Sequence, residues 1–142
     1  MSLKIDRMRF QPNKTSYYLG LLGFVAYIIY LAATLDYIPK NIFLGLEIMI
    51  DLVFLMTLFY GMEKVKNYNL RWSFYMIILG IINILRALWH PIVLGTIDEL
   101  MDKAVISGIS IIIAGVLIII SGIIGMRKSR LLSNYLKKTG LN

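Results

Sequence analysis

The chain contains no cysteine, one histidine and only three prolines among 142 residues. Without thiols it has no disulfide, no thiolate metal site and no cysteine nucleophile, and its redox compartment leaves no mark on the sequence. The lone His90 cannot supply the two axial imidazoles of a membrane haem within one chain. No HExxH zinc motif and no glycine-rich phosphate loop in a strand-turn-helix setting is present. We therefore expect a non-enzyme with no cofactor and no resident metal. Acid is scarce as well, with eight Asp and Glu against fifteen Lys and Arg, a net charge of +7.

What the chain has in abundance is apolar surface. Its residues are 58% hydrophobic and its mean hydropathy is +0.74. A soluble domain of this size has no single core able to hide so much, so the bilayer is the expected solvent. Four runs, about 16–35, 42–61, 72–90 and 104–126, have the ~20 residues needed to cross ~30 Å of hydrocarbon as helices. The connections are too short for a further domain. The expected fold is thus an all-α integral membrane protein, one domain spanning 1–142, built as a four-helix antiparallel up-and-down bundle. The basic leader before the first run resembles a signal peptide, but LAATLD has no A-x-A cleavage pattern, so the run is read as a retained helix.

Charge distribution sets the expected orientation. Lys4, Arg7, Arg9 and Lys14 precede the first run, Lys64, Lys66 and Arg71 flank the second loop, and Arg127, Lys128, Arg130, Lys137 and Lys138 follow the last run. Only Lys40 and Lys103 lie on the opposite side. This asymmetry predicts both termini in the cytoplasm and a multi-pass protein of the cell membrane. Tyr17, Tyr18, Phe59, Tyr60, Trp72 and Tyr75 would form the inner aromatic belt, Tyr37 and Trp89 the outer one. Because the basic residues flank spans, they are read as lipid-headgroup contacts, and no nucleic-acid partner is expected.

Helix starts are signalled at Asn13, at 39–41, at Asn69 and by a capping box at 96–99. The tail, 127–142, gathers Leu131, Leu132, Tyr135 and Leu136 at helical spacing, which predicts a basic amphipathic helix lying on the cytoplasmic membrane face. In the last run the pairs Ser107-Gly108, Ala114-Gly115 and Ser121-Gly122 recur every seven residues. Such a stripe of small residues is a seam for close helix packing. Its expected partner is the stripe Ser16, Gly20, Gly23, Tyr27, Tyr30 and Thr34 of the first run, with a homo-oligomer contact as the alternative.

Four polar residues lie within apolar runs and demand a reason. Glu47 and Asp51 are one turn apart on the second run; Asn83 and Arg86 share a face of the third. Counted from the outer ends of their helices, Glu47 and Arg86 reach similar depths of about 6–8 Å, and Asp51 lies deeper. A charge facing lipid is costly, so the four should face inward as a candidate buried polar or ion site. Arg86 is expected to pair with Glu47, with Asp51 as a second carboxylate it could reach; Asn83 is expected to donate to a remaining carboxylate oxygen, and Asp51 is otherwise left short of a counter-charge. A proton, a monovalent cation or a partner subunit would then neutralise it.

Two functions follow as expectations. The first is a non-catalytic subunit that scaffolds, assembles or regulates a larger membrane complex, with a membrane-protein partner or a second copy and the lipid bilayer as its surroundings. The second is a small proton- or ion-coupled transporter or channel, working as an oligomer, with its acidic site on the second helix.

Overall fold

The computed structural model describes residues 2–34, 42–94 and 101–140. Among these the chain is entirely helical, in the order α1 (Ser2–Arg7), α2 (Lys14–Thr34), α3 (Ile42–Lys66), α4 (Leu70–Leu94) and α5 (Met101–Thr139). The last four are long and apolar enough to cross a membrane, consistent with a multi-pass membrane protein. The start signals expected at 39–41 and 96–99 lie outside the described residues.

Local chemistry places the ends. Asn13 caps α2, its side-chain oxygen accepting from the Ser16 amide at 3.4 Å and its amide group donating to the Ser16 hydroxyl at 2.7 Å. Asn69 caps α4, accepting from the Trp72 amide at 3.2 Å. Between α3 and α4 the amides of Tyr68 and Asn69 return to the carbonyls of Val65 and Lys64. This closure needs a left-handed residue, and Tyr68 supplies it at φ 57°. The reversal therefore takes three residues and sets α3 beside α4.

The packing is uneven. α5 runs closely along both α2 and α4, whereas α3 touches α2 and α4 more lightly and α5 hardly at all. α2 buries Ser16, Gly20, Gly23, Tyr27, Tyr30 and Thr34, the stripe that its sequence presents along one face. The apolar core joins Tyr27 and Tyr30 to Phe54, Leu58, Met62, Met76, Ile111 and Ile118. Large apolar side chains cover the exterior, as expected where the solvent is lipid.

Three expectations are corrected here. The third span does not stop before Pro91, because α4 continues to Leu94. Pro91 falls in its last turn, where one forfeited backbone hydrogen bond leaves the preceding turns intact. The tail is not a separate helix, since α5 runs unbroken from Met101 to Thr139. Nothing interrupts the backbone after Met126 to turn the chain into the membrane plane, and α1 rests against α5.

The third correction is to the small-residue seam and is partial: Ser107, Ala114 and Ser121 meet the expected stripe of α2, but the glycines meet α4. Ser107 meets Thr34 at 3.0 Å, Ser121 donates to the Ser16 carbonyl at 2.7 Å, and the Ala114 carbonyl lies against Gly23, all on α2. Gly115 faces Gly80 and Ile84, and Gly122 faces Ser73 and Ile77, all on α4. Adjacent helical residues point about 100° apart, so a column of Ser and Ala and a column of Gly necessarily address different helices. A β-carbon on Gly80 would stand 2.7 Å from the Gly115 carbonyl, which leaves room there only for glycine. Among the described residues nothing lies within 4 Å of a β-carbon placed on Gly108.

Candidate functional site

Three helices bring their polar groups together at one level. Arg86 reaches from α4 and divides its guanidinium between two carboxylates of α3. One terminal nitrogen stands 2.6 Å from Asp51 Oδ1, the other 2.8 Å from Glu47 Oε1. α2 contributes Tyr27, whose hydroxyl donates to the same Asp51 oxygen at 2.6 Å and accepts from Arg86 at 2.7 Å. Asp51, Tyr27 and Arg86 thus close a three-membered ring of charge-assisted hydrogen bonds, the strong kind in a medium of low dielectric.

The surroundings fix the ring. Tyr27 stacks on Phe54 of α3 at 4.7 Å between centroids and leans on Tyr30 at 5.4 Å. The Arg86 guanidinium carbon lies 5.8 Å from the centre of the Tyr30 ring, within cation–π range. The two acids differ in access: the Asp51 side chain is 4% exposed and that of Glu47 is 32% exposed. Asp51 is therefore the enclosed member and Glu47 the one at the rim.

The structure brings Glu47, Asp51 and Arg86 together and sets Asn83 apart. Asn83 donates to the Ile111 carbonyl of α5 at 3.4 Å and has no contact with either carboxylate. Positions three apart on a helix diverge by about 60°, which is enough for Arg86 to face α3 while Asn83 faces α5. Its side-chain oxygen is buried with no hydrogen-bond partner among the described residues. Asp51, expected to lack a counter-charge, has the shorter of the two Arg86 contacts.

Tyr27 and Tyr30 are the members of the site that the sequence did not announce. Both belong to the small-residue stripe of the first run, where they read as packing. The available signal was a phenol inside that stripe, deep enough to need a polar partner.

A second polar network lies at the end of the bundle where α2 starts and α3 finishes. Asn13 donates its backbone amide to the Lys66 carbonyl at 2.8 Å, and its side-chain oxygen accepts from Lys128 of α5 at 2.9 Å. Lys128 also donates to Thr15 at 3.1 Å. Aromatic rings collect at the same end: Tyr60 and Tyr75 both pack edge-on to Trp72, and Lys64 and Lys66 sit over Tyr60 and Tyr17. Burial pushes the Tyr68 phenol above its usual range.

No group of three or more acidic or histidine side chains suited to a metal ion occurs among the described residues. Comparison with protein-family models, with curated proteins and with solved structures finds no match for this chain.

Proposed function

We propose that the protein is a non-catalytic subunit of a larger membrane assembly, an up-and-down four-helix bundle of the cell membrane with both termini in the cytoplasm. In this reading the Glu47–Arg86–Asp51–Tyr27 network is an internal clamp, and α3 is the helix offered to a partner. The observation that carries it is the outward face of α3. Leu46, Met49, Val53, Met56 and Tyr60 are all exposed, Met56 by 73%, and follow one another at spacings of three and four residues. Stripes at the same spacing face outward on α4 and α5; what sets α3 apart is its lighter packing on the bundle and the two methionines of its stripe, which adapt to an irregular partner surface.

The clamp gives this face its footing. α3 enters the core through Phe54, Leu58, Met62 and Val65 but runs less closely along its neighbours than α5 does, and the ion pairs to Arg86 add to its hold. A buried pair of this kind specifies one arrangement of helices more than it adds stability. The presented partner is a transmembrane helix of another protein or of a second copy of this chain.

The absence of native cysteine makes the test direct. Single Met49→Cys, Val53→Cys and Met56→Cys variants, oxidised in native membranes, should form a defined cross-linked product that mass spectrometry identifies. Ile82→Cys and Ile113→Cys, on outward positions of α4 and α5, should not. Cross-linking no stronger at Met56 than at these controls would sink the proposal.

One observation favours a second reading, a proton- or cation-coupled carrier. Two carboxylates share one guanidinium, an excess of acid inside a membrane span, and Glu47 is the less enclosed of the two. Asp51→Asn in liposomes separates the two. Loss of a pH-dependent H⁺, Na⁺ or K⁺ flux, with cross-linking at Met56 no stronger than at the controls, supports the carrier and removes the scaffold.

A further inference from the structure

α4 begins where the inner half of α5 passes it, and the two helices enclose a cleft of about 290 Å³. Its lining is Leu70, Arg71, Phe74 and Tyr75 from α4 with Met126 and Arg130 from α5. No carboxylate lines it. The register between the helices follows from Gly122 and Gly125, which both lie against Ser73. On that register Arg71 stands level with Met126, Arg130 lies about one turn nearer the end of the bundle, and Phe74 and Tyr75 lie about one turn deeper.

We propose that this cleft is a binding site for an anionic phospholipid, with the headgroup phosphate between Arg71 and Arg130 and the first part of an acyl chain on Phe74, Tyr75 and Met126. The polar and apolar halves of the cleft are stacked in the order in which a phospholipid presents phosphate and hydrocarbon. Both cations are arginines, whose planar forks match phosphate oxygens, and the positive end of the α4 dipole lies beside them. Ile123 on α5, level with Phe74, and Ile78 on α4, one turn further in, are exposed and continue the apolar track. The inference depends on the protein lying in a bilayer; it depends neither on the clamp reading nor on a partner for α3.

The test uses the full chain in mild detergent, with native mass spectrometry of bound dioleoyl phosphatidylglycerol against dioleoyl phosphatidylcholine. The wild type should prefer phosphatidylglycerol. R71Q/R130Q should lower that preference about thirtyfold, from about fivefold for each basic side chain near a membrane surface. K137Q/K138Q, with its substitutions in the distal tail, should keep it. A retained preference in R71Q/R130Q overturns the proposal. A measurement on the wild type alone tests the apolar half: dihexanoyl phosphatidylglycerol and glycerol 3-phosphate should compete poorly with the dioleoyl lipid. Equal competition by glycerol 3-phosphate would make the cleft a site for free phosphate esters and overturn its assignment to lipid.

Discussion

Tyr27 on α2 donates its hydroxyl to Asp51 on α3 at 2.6 Å, and this bond joins two helices that otherwise meet lightly. The same hydroxyl accepts from Arg86, so a single phenol helps to satisfy both the acid and the base. Tyr27→Phe keeps the ring stacked on Phe54 and removes only the oxygen. It should destabilise the bundle by about 1.5–3 kcal/mol, the usual worth of a hydrogen bond to a charged group. Unfolding by SDS in mixed micelles measures the loss. An unchanged midpoint would mean that Asp51 draws its support from Arg86 alone.

The two acids paired with Arg86 differ in burial, Asp51 at 4% side-chain exposure and Glu47 at 32%. Removing the guanidinium in Arg86→Gln leaves an enclosed carboxylate uncompensated, at a cost of about 3–5 kcal/mol. Glu47→Gln removes a charge and leaves Arg86 still paired with Asp51, so it should cost less than Arg86→Gln. Double-mutant cycles make the comparison clean. The coupling of Arg86 to Asp51 should exceed its coupling to Glu47 by at least about 1 kcal/mol, and the reverse order would contradict the geometry.

Much of this arrangement is legible in the amino-acid sequence. Run length and the cost of charge in hydrocarbon are strong constraints, so the spans and the inward turn of Glu47, Asp51 and Arg86 follow from composition and spacing. The partner of Asp51 does not follow. A tyrosine in an apolar run reads as packing or as an interfacial ring, and only the crossing of α2 over α3 brings Tyr27 to an acid. The seam of α5 is visible as a seven-residue period, yet a period names no neighbour. Ser121 and Gly122 are adjacent in sequence and face different helices. The unbroken helix through the tail is hidden for another reason: an amphipathic basic segment suits both a membrane surface and the projecting end of a long helix.

The two columns of α5 make separate predictions. In Gly115→Val the new side chain would meet Ile84 at 2.6 Å and the Gly80 carbonyl at 2.9 Å, and a backbone oxygen does not give way as a side chain can. The variant should lose about 1–3 kcal/mol and loosen α4 from α5. Gly108→Val, with no neighbour within 4 Å among the described residues, should stay within about 0.5 kcal/mol of the wild type. Thermal unfolding in detergent, followed by circular dichroism, ranks the pair; equal losses would mean that the Gly80–Gly115 contact is not a tight one.

Asn13 carries the last prediction because its side chain and backbone do different things. Its amide nitrogen donates to the Lys66 carbonyl, a bond that Asn13→Ala retains. The side-chain oxygen serves the Ser16 amide and Lys128, and alanine forfeits both. The loss should be about 1–2 kcal/mol, with faster hydrogen exchange in the first turn of α2 and little change at the end of α3. Asn13→Asp separates capping from mere packing. The carboxylate keeps the acceptor for Ser16, adds a full charge opposite Lys128, and stands at the positive end of the α2 dipole. It should match or exceed the wild type in stability at neutral pH and lose that advantage as the carboxylate is protonated in acid. If aspartate were as damaging as alanine, the position would depend on the amide donor to the Ser16 hydroxyl, and the link between α2 and α5 through Lys128 would contribute little.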